Sequence, residues 1–207
     1  MSEKQKLLKT LQEFKKVYSD AQAKIANINA NPELTPEGKE KQSGRVSSEF
    51  YDTAKTYHDL TANIVNTGIE SVRQKWEAGI KNNLTNAGYQ TGLANALAFI
   101  ENGYVSQPEY VQAIVSAYKN DSVALAALRD TFLKAGNKDL AALVPAGNEG
   151  KNIQLLQQLR SNIDRYVSAE FLQSKSNWSL ATTTMSIDSM CQFVDTRLSD
   201  DFSLIEQ

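Results

Sequence analysis

The sequence predicts an all-α protein: a long, coiled-coil-like helical hairpin over residues 1–84, followed by a compact multi-helix bundle over 85–207. Three observations carry this. Leu7, Leu11, Phe14, Tyr18, Ala21, Ile25 and Ile28 follow one another in steps of 4, 3, 4, 3, 4 and 3. That is a heptad seam, the spacing of a helix that buries one narrow stripe against another helix. Helix start and stop signals recur along the chain, and no segment alternates apolar and polar residues with a period of two.

The elements follow in order. Ser2 and Gln5 form a capping box, so the first helix starts near residue 3 and runs to about Ala30. Asn31, Pro32 and Leu34 break it. Thr35-Pro36-Glu37 restarts a helix, with Thr35 as N-cap, Pro36 at the first helical position and Glu37 favourable to the dipole. This second helix carries Val46, Phe50, Ala54, Tyr57, Leu60 and Ile64, then Val65, Ile69, Val72, Trp76 and Ile80, with a shift of the stripe near Ile64. No proline interrupts it before Leu84. At 1.5 Å per residue the two helices span about 42 Å and about 75 Å, so an antiparallel hairpin pairs the first only with roughly 36–65. The rest of the second helix needs a partner in the C-terminal half or in another subunit. The tip poses a conflict, because TPEGKEKQSGR between Leu34 and Val46 holds no large apolar residue to cover Ile25 and Ile28.

Shorter helices follow. Leu93, Leu97 and Ile100 make one apolar face that ends near Gly103. Ser106-Gln-Pro-Glu109 reads as a second capping box ahead of Val111, Ile114, Val115 and Tyr118. Asp121 or Ser122 caps a helix with Val123, Leu125, Leu128, Phe132 and Leu133 that stops at Gly136. A short turn holds Leu140 and Leu143. Asn148 caps a longer helix with Ile153, Leu156, Leu159, Ile163, Val167 and Phe171. The last helix carries Leu180, Met185, Ile187, Met190, Cys191, Val194 and Leu198.

Composition narrows the function classes. The 207 residues are 41% hydrophobic and 22% charged, with only 10 glycines and 4 prolines, which leaves little signal for disorder. The net charge is −2; there are 13 basic and 11 acidic residues up to Leu84, and 9 and 13 after it. That asymmetry is too mild for a nucleic-acid footprint. One cysteine, Cys191, excludes an internal disulfide. MSEKQKLLK lacks the apolar core of a secretory signal, and the longest apolar run, Leu93 to Ile100 broken by Asn95, is far short of the ~20 residues of a membrane helix. This reads as a protein made and kept in a cytoplasm or inside a particle built there.

Chemical motifs are weak. A histidine-based site would have to use His58, the single histidine, which reads as a hydrogen-bonded or solvated surface residue. Cys191 lies with Ile187 and Val194 on an apolar face and reads as an inert thiol. Gly147-Asn-Glu-Gly150-Lys151-Asn152 glances at a phosphate loop, but Pro145 stands where its first glycine belongs, Asn152 replaces Ser or Thr, and no strand precedes it. Gly88 and Gly92 form a small-residue pair suited to close helix approach. Asp188, Asp195, Asp200 and Asp201 cluster near the end of the chain and read as solvated carboxylates before they read as a cation site. No cofactor, metal or catalytic group is expected, and an enzyme would need a constellation of Asp, Glu, Lys and Tyr scattered over several helices.

Asn31-Pro-Glu-Leu-Thr-Pro-Glu-Gly-Lys39, joining two coiled-coil helices, resembles the hairpin turn of small helical structural and assembly proteins of tailed bacteriophages, and the stretch from Ser106 to Asp130 is similar to their paired short helices. The resemblance covers about half the chain and implies a scaffold-like, head- or tail-associated role, with no functional residue to carry over. The expected function is therefore a non-enzymatic virion structural or assembly protein that binds itself or other virion proteins, without nucleic acid or membrane. The alternative is a host-directed adaptor or inhibitor that captures one bacterial protein. The expected contact residues are Leu7, Leu11, Phe14, Tyr18 and Ile25 on the seam, and Val72, Trp76 and Ile80 on the second helix, with tryptophan and tyrosine favoured at such contacts for their large area and polar tips.

Overall fold

A computed structural model describes residues 1–119, 121–145, 149–170, 172 and 177–205, the side chains of 149 and 177–180 excepted. The described residues form eight helices: α1 (Glu3–Ala30), α2 (Pro36–Thr85), α3 (Ala87–Glu101), α4 (Pro108–Ala117), α5 (Ser122–Lys134), α6 (Lys138–Ala142), α7 (Glu149–Tyr166) and α8 (Asn177–Arg197). The fold is all-α, with a long N-terminal helix packed on a longer second one and shorter helices after it. The chain groups into two compact units, one built from 1–71 together with 154–207, the other from 72–153. The boundary expected at 84/85 thus falls inside the second unit, and the end of the chain joins its beginning.

The first unit explains that return. α1 starts with the capping box, Ser2 Oγ accepting from Gln5 N at 3.2 Å and Gln5 Oε1 from Ser2 N at 3.1 Å. Its stripe of Leu7, Leu11, Phe14 and Tyr18 is fully buried, and Ala21 nearly so. Phe14 and Tyr18 stack at 5.8–6.0 Å between ring centres with Phe50 and Tyr57 of α2. α1 also packs along α8. Lys4 Nζ donates to the Asp195 carbonyl at 2.8 Å, and Lys15 pairs with Asp188 at 2.5 Å. Ile187, Met190 and Val194 of α8, Leu198 just after it, and Leu156, Leu159 and Ile163 of α7 complete the core. A stripe covered from two sides needs more than one partner helix, and α8 supplies the second.

The tip conflict resolves by polarity. Ile25 and Ile28 are only half-buried, and Asn31 ends α1 with its side chain accepting from Glu33 N at 2.9 Å. Thr35 Oγ1 accepts from Gly38 N at 3.2 Å, the expected N-cap of α2. Lys39 then reaches back to the Asn29 carbonyl at 2.8 Å, so an ammonium closes the tip where apolar residues are lacking.

Along α2 the inward stripe differs from the expected one at one residue. Leu60 is 49% exposed, and Thr61 is fully buried in its place. One row of buried or half-buried positions runs 50, 54, 57, 61, 65, 68 and 72, so two successive steps of four interrupt the heptad spacing along it. Such a stutter turns the stripe locally, and the Thr61 hydroxyl satisfies itself on the Tyr57 and His58 carbonyls at 2.8 and 3.0 Å.

The second unit buries Ala96, Ile100, Val105, Val111, Leu125, Leu128, Phe132, Ala141 and Val144. α3 packs on α5, and α5 on α6. α3 and α5 end alike: Gly103 and Gly136 adopt φ of +77° and +80°. Tyr104 N donates to the Phe99 carbonyl and Asn137 N to the Phe132 carbonyl, both at 2.9 Å. This left-handed termination favours glycine and satisfies carbonyls the helix leaves open. Asp121 caps α5 through Val123 N and Ala124 N, each at 3.0 Å. The capping box expected at Ser106 does not form. The N-cap is Gln107, with no side-chain bond, and Pro108 opens the helix. Proline pushes the preceding residue to extended backbone, so Gln107 becomes the boundary and Ser106 falls outside. The Asn148 cap and Phe171 lie outside the described residues, as does the Leu180 side chain.

Residues 198–205 form a hook. Leu198 and Leu204 make an antiparallel bridge, and Phe202 at its apex is 3% exposed with φ of +64°. Its ring lies over Gly68, where an added Cβ would stand 2.7 Å from ring carbons.

Replacing Phe14 with alanine is expected to cost about 3–5 kcal/mol, since it empties a site enclosed by two helices. Urea unfolding will show a lower midpoint at unchanged slope. Replacing both Leu11 and Phe14 with aspartate is expected to abolish cooperative unfolding altogether, because two carboxylates cannot be buried unpaired.

Candidate interaction surfaces

Of the expected contact residues, Leu7, Leu11, Phe14 and Tyr18 are fully buried inside their own chain, so they offer no face to a second subunit. The seam closes within the molecule because α2 and α8 both lie against it. Burial pushes the Tyr18 phenol up. Ile25 remains half-exposed at the hairpin tip. Val72 is buried, and Trp76 and Ile80 are half-buried. The Trp76 Nε1–H is buried without a hydrogen-bond partner. These three positions show solvent only part of their surface.

His58, Cys191 and the glycine pair each make contacts within the fold. His58 sits between two carboxylates, its Nε2 at 2.8 Å from Asp164 and its Nδ1 at 3.0 Å from Asp59, which ties α2 to α7. Arg160 pairs with the same Asp164 carboxylate. The Arg160 hydrogen bond holds the Asp164 carboxyl below the usual range, against a smaller effect of burial, with His58 adding to the lowering. The Cys191 thiol is half-buried, and burial pushes its pKa up to about 11, so it stays protonated at neutral pH. Of the glycine pair, only Gly92 makes a close approach, its Cβ position lying 3.1 Å from the Tyr118 hydroxyl; Gly88 meets only its own Asn86 cap, at 3.4 Å. Among the described residues no group of three or more His, Cys, Asp or Glu is placed to hold a metal ion, and no helix is long and apolar enough to cross a membrane.

The second unit holds a polar knot that sequence spacing does not reveal. Asp121 accepts from Tyr89, from Asn83 Nδ2 at 2.8 Å and from its two capping amides. Gln90 Nε2 donates to the Asn83 carbonyl at 3.0 Å, and Tyr118 packs edge-on against Tyr89 at 5.3 Å. Burial raises the Tyr89 phenol strongly, and its bond to Asp121 raises it further. Burial alone would raise Asp121, but its four hydrogen bonds prevail and hold it below the usual range. The knot locks the end of α2 to the starts of α3 and α5. The only sequence signal was the Asp121 cap, since Asn83 and Tyr89 are brought to it from 38 and 32 residues away.

Among the described residues two places bear on contact with a partner. A groove of about 300 Å³ runs between α7 and α8, bordered by Leu155, Tyr166, Met190 and Phe193 with amides and hydroxyls between them. On the second unit, Leu84, Phe99, Tyr104, Tyr110, Val123, Leu133 and Leu143 are each at least 41% exposed. They make up seven of the twelve exposed large apolar side chains among the described residues, on the smaller unit. Phe99 and Tyr104 form an edge-on pair at 6.2 Å across the α3 terminus.

Replacing Asp121 with alanine is expected to cost about 2–3 kcal/mol, combining a lost cap with unpaired Tyr89 and Asn83 groups; Asp121→Asn, which keeps an acceptor, costs less. The pH dependence follows the same carboxylates. Asp121 and Asp164 titrate below their unfolded values when folded, so their contribution is complete above about pH 4 and is lost as pH falls through the folded values. Urea midpoints measured from pH 7 to pH 2 will drop below pH 4, with a shallower acid slope in Asp121→Asn. In comparisons with known proteins, no family model, curated protein or solved structure matches this chain.

Proposed function

We propose that the chain is a non-enzymatic structural or assembly protein of the tailed-phage type, which works in a virion or its host cytoplasm by protein–protein contact through the second unit. The observation that supports this is the concentration of exposed aromatic and aliphatic side chains on 72–153, when the heptad seam is already consumed by the fold. Within that set Phe99 and Tyr104 lie side by side as an exposed edge-on pair, and contiguous exposed apolar area is what a partner covers. Tyrosine and phenylalanine carry much contact area with few rotatable bonds to immobilise. The contacts would come from helix faces and helix ends, as with Phe99 in α3 and Tyr104 just after it.

The closed seam favours a second reading as well. A chain that cannot use Leu11 and Phe14 between subunits is free to act alone on a different protein, as a host-directed adaptor or inhibitor would.

Light scattering after size exclusion over a concentration series separates the two. Under the assembly reading the wild-type chain gives a defined oligomer or a concentration-dependent ladder. The double variant Phe99→Asp, Tyr104→Asp stays monomeric with an unchanged helical spectrum and melting temperature. A wild-type monomer at every concentration would refute self-association and leave the heterologous partner. An oligomer that survives the double variant would place the contact elsewhere.

A further inference from the structure

The groove between α7 and α8 differs in kind from the exposed apolar side chains of the second unit. None of the nine residues that border it is charged, in a chain of which 22% is. The two helices do carry charge, but it is turned elsewhere. Arg160 and Asp164 of α7 meet beside His58 of α2, and Asp188 of α8 pairs with Lys15 of α1. Depletion of charge at the centre is what sets an interface apart from the rest of a surface. We propose that this groove is a second contact of the assembly, and that its occupant is the same groove on a second copy of the chain, related by a twofold axis. This contact rests on the assembly reading above and adds to it the step by which paired copies grow larger.

Three features fit the face to its own image. A twofold contact sets each group against a copy of the same patch, so a charged face repels itself and a neutral one does not. The polar groups, on Gln158, Asn162, Ser186 and Ser189, are amides and hydroxyls, which both donate and accept, so each can bond to its like. The face also carries a knob beside its hole. Met185 is 68% exposed one turn before Ser189, whose hydroxyl donates to the Met185 carbonyl at 2.9 Å. A twofold axis between Met185 and the groove seats the methionine of each copy in the groove of the other. An unbranched thioether side chain adapts to an irregular gap, and a groove of about 300 Å³ has room for it. Four of the nine bordering residues are polar, so the contact is weak by itself. It forms between copies already held through Phe99 and Tyr104, where the effective concentration is high. One self-complementary patch closes a pair and stops there; a second patch lets pairs join.

The test is light scattering after size exclusion on full-length chains, over the same concentration series. The wild-type chain is expected to pass beyond two copies as concentration rises. Ser189→Lys and Ser189→Glu, made at an exposed position, are expected to stop at two copies with unchanged helical spectrum and melting temperature, whereas Ser189→Ala grows like the wild type. An equimolar mixture of the two charged variants is expected to grow again, because opposite charges then meet across the axis. Charged variants that each grow like the wild type would overturn the second contact and leave the assembly reading standing, as would a wild-type chain that stops at two. Charged variants that stay small when mixed would overturn it as well, since the groove would then not be facing its own copy. A wild-type monomer throughout removes the assembly reading and this contact together.

Discussion

The first unit depends on the burial of one stripe of α1 from two directions. Leu7, Leu11, Phe14 and Tyr18 stand on a single helical face, yet none retains any solvent contact. One antiparallel partner would leave the flanks of such a stripe wet. α2 supplies Phe50 and Tyr57 on one side, and α8 runs along the other. The polar contacts then fall at the rim, where Lys15 meets the middle of α8, Lys4 its end and Ser2 the residues after it. Exposed pairs of this kind add little energy, but they fix how far α8 lies along α1. Register is set by polar groups and stability by apolar ones.

Much of the fold was legible because local signals agree with tertiary packing. The Ser2 box, the Thr35 cap, the Asp121 cap and the Gly103 and Gly136 stops all stand where spacing put them. The misses have physical causes. Ser106 looked like a cap, but Pro108 shifts the helix boundary one residue past it. Leu60 looked like a core residue, but the stutter at Thr61 turns it to solvent. The heptad seam announced helix pairing and could not announce the partner, since a knob fits a hole in its own chain as well as one in another.

The contact surfaces were less legible still. Heptad spacing drew attention to the most buried residues, whereas the exposed aromatic side chains sit at helix ends and carry no period. Phe99 and Tyr104 are five residues apart, joined by the glycine-dependent turn that ends α3. The Gly68 contact escaped for a different reason. Gly44 and Gly79 of the same helix meet nothing, so glycine alone does not mark the spot, and the ring that covers Gly68 comes from 134 residues further along the chain.

The discontinuity of the first unit has a consequence for how the chain acquires its structure. Residues 1–71 and 154–207 must find each other across an intervening unit that can close on contacts of much shorter range. On a ribosome, α1 and α2 emerge with one flank of their stripe uncovered, and that flank stays bare until α8 has been made. Loop-closure entropy delays such distant pairing, so docking of α8 is the natural slow step. Until then the nascent chain presents a half-wet apolar helix pair, the very surface that the finished fold withdraws from view.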